Sequence, residues 1–314
     1  MLSIVTLSTV QLTNISTVLG NDNSQLLANQ ISSTESGPYS FGGLITLLSN
    51  STLKLNQLIS ECTLIYKTNY ILNTGALIGS STSNTNNILI QNLCFKYNIQ
   101  STQVFKAYGL IGYSAGNISL QSSSIQLRVT GLAFQFFGII GQVYSTSQFT
   151  QFVNININLT QFLITAGSSY GDTGALIGNI RTTLCQIINV TAITKNENVT
   201  NNVSSGGLIG YCGSNSLQLV NSTVQDSILQ AINYCGGFFG SSDNTNYNIT
   251  HSSLKSVKIQ AQNGAGAIIG SIAVNNIGSA TLYILSSFYN NISVNSNLLT
   301  NCLNVINAWS ITQC

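Results

Sequence analysis

Gly174-Ala175-Leu176-Ile177-Gly178 and, 32 residues later, Gly206-Gly207-Leu208-Ile209-Gly210 decide how this chain is read. The same glycine-framed apolar motif recurs upstream as Gly42-Gly43-Leu44-Ile45-Thr46, Gly75-Ala76-Leu77-Ile78-Gly79, Gly109-Leu110-Ile111-Gly112 and Gly138-Ile139-Ile140-Gly141. Downstream it returns as Gly236-Gly237-Phe238-Phe239-Gly240 and Gly264-Ala265-Gly266-Ala267-Ile268-Ile269-Gly270. Between closing residues the steps are 33, 33, 29, 37, 32, 30 and 30. A period near 32 sustained over eight copies means a repeat architecture, in which each unit buries its apolar face on its neighbours.

Working outward from the motif, each copy leads through a polar stretch to a second apolar segment, such as Ile88-Leu89-Ile90-Gln91-Asn92-Leu93-Cys94-Phe95 or Leu217-Gln218-Leu219-Val220-Asn221-Ser222-Thr223-Val224. These segments are β-branched, partly alternating and about five to eight residues long, which predicts strands and not helices. Proline occurs once, at Pro38, so no strand loses a ladder donor to it. Of the 27 glycines, 19 lie in the motifs. They are therefore assigned a structural role, either close backbone approach or positive φ, whereas Gly116, outside the motifs, is expected to tolerate a side chain better.

Two or three short strands in about 32 residues are too few for a propeller blade and lack the leucine-rich-repeat consensus. The prediction is a single all-β domain over residues 1–314: a right-handed parallel β-helix of eight to nine coils, about 40 Å long at the interstrand rise. Residues 1–41 would form a partial or capping first coil, 42–294 the recognisable repeats and 295–314 a degenerate last coil. Unequal steps are then insertions in the turns, which leave the stacked strands in register.

The Gly-[Gly/Ala]-Leu-Ile-Gly motif, followed by Ile-x-x-Ser-Ser/Cys-apolar, resembles the GLUG repeat of secreted bacterial peptidases and adhesins and of large protist surface proteins. The resemblance covers about residues 42 to 294. It implies a β-helical stalk whose chemistry, where there is any, sits in other domains. Thr46 in place of the closing glycine implies a tapering first coil, and Phe238-Phe239 a locally wider core.

Composition narrows the function. Nine Lys/Arg, seven Asp/Glu and one histidine give a net charge of +2 over 314 residues, leaving no basic stripe to neutralise phosphates; this excludes nucleic-acid binding as the main role. With 44% apolar residues the chain is not of the disordered class. Its polarity comes from 39 Asn and 72 Ser plus Thr, a neutral hydrogen-bonding surface. No apolar run reaches the ~18 residues of a membrane span. Residues 1 to 20 carry no basic residue and read as strand, unlike a secretory leader. Leu12-Thr13-Asn14-Ile15 resembles Val220-Asn221-Ser222-Thr223-Val224, so the chain is expected to begin inside a coil and to be a fragment of a longer protein.

Candidate chemistry is sparse. Cys62, Cys94, Cys185, Cys212, Cys235, Cys302 and Cys314 contain no Cys-x-x-Cys pair, and no metal site or cofactor is expected. Cys62 and Cys94 stand one repeat apart, in the same or adjacent columns. Either a disulfide or a buried free-thiol stack with Thr63, Ser124, Thr223 and Ser253 fits that spacing. Ten Asn-x-Ser/Thr sequons occur, at Asn14, Asn50, Asn117, Asn158, Asn189, Asn198, Asn202, Asn221, Asn248 and Asn291, about as many as the composition produces by chance.

A glycoside-cleaving site needs two carboxylates within roughly 10 Å. The acids are Asp22, Glu35, Glu61, Asp172, Glu197, Asp226 and Asp243. Glu61 and Asp226 share nearly one column but lie five coils, about 24 Å, apart. Arg181 and Asp243 share an offset two coils apart, a surface charge pair. Asp172 and Glu197 belong to neighbouring turns and are the acids that remain open. His251 has no nucleophile or acid placed beside it by spacing. No catalytic residue is assigned. The expected role is a non-enzymatic, extracellular or cell-surface repeat protein, an adhesin-like stalk or binding module, monomeric or part of a longer chain, whose partners are glycans or host and neighbour-cell surface proteins. The alternative is a carbohydrate-active β-helical enzyme.

Overall fold

The computed structural model describes residues 2–6, 9–18, 25–28, 40–42, 45–66, 73–101, 105–132, 134–144, 149–165, 171–199, 204–243, 245–273 and 282–296. These residues form strands, bends and turns without a helix. Their strand pairings are parallel throughout. The protein is a parallel β-solenoid, as the repeat predicts.

One coil illustrates the plan. The glycine motif supplies two short arms, Asp172–Gly174 and Ile177–Arg181, separated by the bend at Ala175 and Leu176. The chain then enters the opposite sheet as the long strand Leu184–Val199. Coil stacks on coil so that Ile45, Ile78, Ile111, Ile140, Ile177, Ile209, Phe239 and Ile269 form one column. Steps of 29 to 37 residues leave this column unbroken, because the length differences are taken up between strands and at local register shifts such as those at Thr130/Gly131 and Ala192/Lys195. Six turns have a further complete turn paired on each side. Counted as these interior turns, the stack of about six is slightly shorter than the eight to nine read from the repeats.

At the motif bend one carbonyl accepts two N–H donors from the neighbouring coil. Leu208 N and Ile209 N both donate to Phe238 O, at 3.0 and 3.1 Å, and Phe238 N and Phe239 N both donate to Ile268 O at 3.0 Å. The bend thereby stays hydrogen-bonded although its residues leave the strand. Ala175, Leu176 and Ile177 are all fully buried. They pack toward the inner columns of the long strands, among them Leu120, Phe152, Ile187 and Leu219. Each such side chain contributes about 1.5–3 kcal/mol by leaving water.

The motif is framed by glycine because its two arms are pressed backbone against backbone. A Cβ on Gly206 would lie 2.0 Å from Ile209 O, and one on Gly210 would lie 2.4 Å from Thr173 N in the arm of the preceding coil. Neither glycine has a positive φ, so close approach is the operative reason. Gly116 corrects the expectation of tolerance, since its Cβ would meet Asn86 O at 2.5 Å. Gly43 lies outside the described residues.

The long strands also differ from the expected five-to-eight-residue segments. Thr52–Tyr66, Asn87–Ser101, Asn117–Leu132 and Phe149–Thr165 run 15 to 17 residues. Two short alternating runs are joined in each by one left-handed residue. Gln57, Asn92, Ser122, Asn154, Asn189, Asn221, His251 and Ser286 occupy this position, with φ between 47° and 56°, and the flanking register aligns them in one column. Asparagine dominates because its short polar side chain tolerates left-handed backbone. Asn14 falls in the same column, between Thr13 opposite Asn56 and Ile15 opposite Leu58, which accounts for its likeness to Asn221. The next residue points inward and in several coils is serine. Ser222 Oγ donates to Val220 O at 2.9 Å and accepts from Val190 N at 3.1 Å, so one hydroxyl ties two coils at the break.

Candidate functional site

The tight arch of the motif brings residues seven apart into contact on its outer side. Asp172 opens the first arm and Asn179 follows the closing glycine, and Asn179 Nδ2 donates to Asp172 Oδ2 at 2.8 Å. Asn73 and Ser80 repeat this contact three coils earlier, at 3.3 Å. Ser204, opposite Asp172 in the next coil, also hydrogen-bonds its carboxylate. Ser204 Oγ and Ser241 Oγ are 2.8 Å apart, so with Ser204 donating to Asp172, Ser241 donates to Ser204. Asp172 is only 9% exposed. Burial pushes its carboxyl up to about 6, against the lowering effects of Asn179, Ser204 and the Arg181 charge. Asn179 Oδ1 is buried without a hydrogen-bond partner.

Beside this buried group runs an exposed line. Arg181 stands opposite Tyr144 in the preceding coil. In the following coils its column passes through Gly213 to Asp243, as the pairs Ile180 with Cys212 and Cys212 with Ser242 require. Tyr211 leans across Gly213: Arg181 Nη2 donates to the Tyr211 hydroxyl at 3.1 Å, and that hydroxyl donates to Asp243 Oδ2. The guanidinium carbon lies 5.2 Å from the Tyr211 ring centroid. Burial, with the hydrogen bond and charge of Asp243 behind it, raises the Tyr211 hydroxyl well above its ordinary value. Gly213 makes this possible, since a Cβ there would crowd Arg181 Cγ and Tyr211 Cε1, each at 3.2 Å.

The opposite sheet presents a different surface. Gln91 Nε2 donates to Gln121 Oε1 at 3.0 Å, Gln121 Nε2 to Ser119 Oγ at 2.9 Å, and Ser119 Oγ to Gln151 Oε1 at 3.3 Å. The run continues from Gln151 to Gln186 and from Gln186 to Gln218, at 3.1 and 2.7 Å. An uncharged chain of amides and hydroxyls thus follows the solenoid axis across five coils.

The remaining expected residues are scattered. Asp22 and Glu35 lie outside the described residues. Glu61 and Glu197 are paired in strands opposite Lys96 and Phe162, but their side chains lie outside what is described. Asp226 is exposed and left-handed, φ 46°. His251 is exposed in the left-handed column. Cys94 is exposed and stands opposite Ile59 and Ser124, whereas Cys62 stands opposite Tyr97. This corrects the buried stack and the shared column: the pairing shifts the two cysteines three positions apart. Cys302 and Cys314 lie outside the described residues. Cys185, Cys212 and Cys235 are free and buried, and burial pushes Cys235 up to about 12. Among the described residues no group of three or more His, Cys, Asp or Glu is placed to hold a metal ion, and no helix is long and apolar enough to cross a membrane.

Arg181 and Asp243 were legible from their shared offset. Asn179 and Tyr211 were missed, although the signal existed: the first and third positions after each closing glycine point outward on the motif sheet. Compared with known proteins, the chain matches no family model, no curated protein and no solved structure.

Proposed function

We propose that the chain is a non-enzymatic surface or secreted repeat protein, an adhesin-like stalk or binding module whose outer faces contact glycans or surface proteins of a host or neighbouring cell. The observation that carries this reading is the amide chain from Gln91 to Gln218, a repeating neutral donor–acceptor surface along the solenoid axis. Such a surface makes many weak contacts and draws affinity from their number. The resemblance of the motifs to GLUG repeats supports the same role and an extracellular setting. The test combines adhesion to glycan- and protein-coated surfaces with release of reducing ends from polysaccharides. Adhesion without cleavage is expected, and deleting one coil, residues 80–112, weakens adhesion only in part.

A carbohydrate-active enzyme is the second reading, favoured by one observation. Burial lifts Asp172 to about 6, a value suited to a group that holds a proton near neutrality. Polysaccharide cleavage that disappears in Asp172→Asn establishes this reading and overturns the first.

A further inference from the structure

We propose that Tyr144, Arg181, Tyr211 and Asp243 form a local binding site for one or two units of a neutral oligosaccharide, on the face of the solenoid built by the glycine motifs. The inference rests on the binding-module reading and gives it a definite place and ligand class. Tyr144 is 47% exposed, one of four large hydrophobic side chains left so open among the described residues. It stands in a column that continues through Arg181 and Gly213 to Asp243. Three steps of about 4.8 Å make this line about 14 Å long, enough for two sugar rings.

The chemistry along the line suits a pyranose. A sugar ring has an apolar C–H face and a rim of hydroxyls. An open tyrosine ring meets the first. A guanidinium with five donors and a carboxylate with only acceptors meet the second, since neighbouring hydroxyls both donate and accept. Gly213 leaves room for the Tyr211 ring, which lies over it with its hydroxyl bridging Arg181 and Asp243, so that cation, ring and anion form one polar shelf beside the open Tyr144 ring. The joined Arg181–Tyr211–Asp243 group has no net charge, which favours a neutral sugar over a uronate. Buried Asp172 and Asn179 lie beside this group, with Asn179 opposite Tyr211 in the adjoining coil, and hold the arch.

The test titrates the full chain with cellotetraose, mannotetraose and tetragalacturonate by calorimetry, with ligand-observed NMR as a second readout. At least one neutral tetramer is expected to bind, more tightly than the uronate. Tyr144→Ala and Arg181→Gln should each weaken it about tenfold or more, with unfolding midpoints unchanged. Gly213→Val, whose side chain would displace the Tyr211 ring and the Arg181 stem, should abolish binding; if that variant does not fold, the two surface variants carry the test. Binding unaffected by these variants overturns the site while leaving the binding-module reading standing. Binding of neither neutral tetramer, or a preference for the uronate, also overturns the site, and adhesion to coated surfaces then reads the wider proposal separately. Cleavage of a tetramer, with sensitivity to these same variants, overturns the binding-module reading.

Discussion

Asn221 Nδ2 donates to Asn189 Oδ1 at 2.5 Å, one coil apart, from two residues that both hold left-handed backbone, φ 47° and 54°. Asn189 in turn donates to Asn154 Oδ1 at 2.9 Å. Each coil repeats a break that only a few residue types occupy cheaply, and the amides that make it cheap also bond along the axis. The sequons at Asn189 and Asn221 thus have a structural reason beyond composition, since an outward Thr follows each at the next pleat.

Substitution in this column should sort by residue type. Asn189→Ala loses a side-chain hydrogen bond and puts a Cβ without compensation into left-handed backbone, at a cost of about 2 kcal/mol. Asn189→Gly should cost less. His251→Asn should be neutral or stabilising, because asparagine is the better left-handed residue. Urea denaturation measures all three, and a large loss of stability in His251→Asn would contradict this assignment.

The glycines give a second ranking. Gly206→Ala forces a Cβ to within 2.0 Å of a backbone carbonyl, so the arch must open; a loss of 3 kcal/mol or more is expected, on the order of the largest single-site effects. Gly213→Ala meets only side-chain atoms at 3.2 Å and should cost under about 1 kcal/mol. Equal effects at the two positions would contradict the close approach of the arms.

Much of this was legible beforehand. The eightfold motif fixed the period, and the alternation in Leu217-Gln218-Leu219 identified inward and outward positions. The motif also revealed where glycine is required. The length of the strands was not legible, because the left-handed residue interrupts alternation and makes one 15-residue strand resemble two short ones. Gly116 was misjudged for a related reason: its neighbour, Asn86, comes from another coil, and nothing local in the sequence announces it. The contact of Tyr211 with Arg181 likewise depends on register between coils, while the position of each is readable from its offset.

Asp172 predicts the pH dependence. Its carboxyl is raised in the fold to about 6 from the ordinary 3.8, so the folded state binds the proton more tightly than the unfolded state. The stabilisation is fully present below about pH 3.8 and is lost as pH rises through 6. At roughly 1.4 kcal/mol per pH unit of displacement, this amounts to about 3 kcal/mol. Asp172→Asn should remove this component and be more stable than the parent at pH 7. Denaturation curves at pH 4, 6 and 8 check it, and an unchanged pH slope in the variant would count against the buried carboxyl.

Thiol labelling should separate the cysteines. Cys94 is exposed and should react within minutes, while Cys185, Cys212 and Cys235 are buried and should be protected until the solenoid unfolds. Peptide-resolved mass spectrometry reads each site, and early labelling of Cys212 would contradict its place in the core.

Coil-to-coil register, in which Ile177 pairs with Ile209 and Asn179 with Tyr211, orders the whole solenoid. Deleting residues 179–210 joins Gly178 to Tyr211, which replaces Asn179 by its own partner in the column. The direct measurement is circular dichroism with urea unfolding of this deletion beside one of half a period, residues 179–194. The one-coil deletion is predicted to give a folded, cooperatively unfolding β protein, because each coil contacts mainly its neighbours, while the half-period deletion unfolds or aggregates. Loss of folding in both, or equal tolerance of both, would contradict the stacked register.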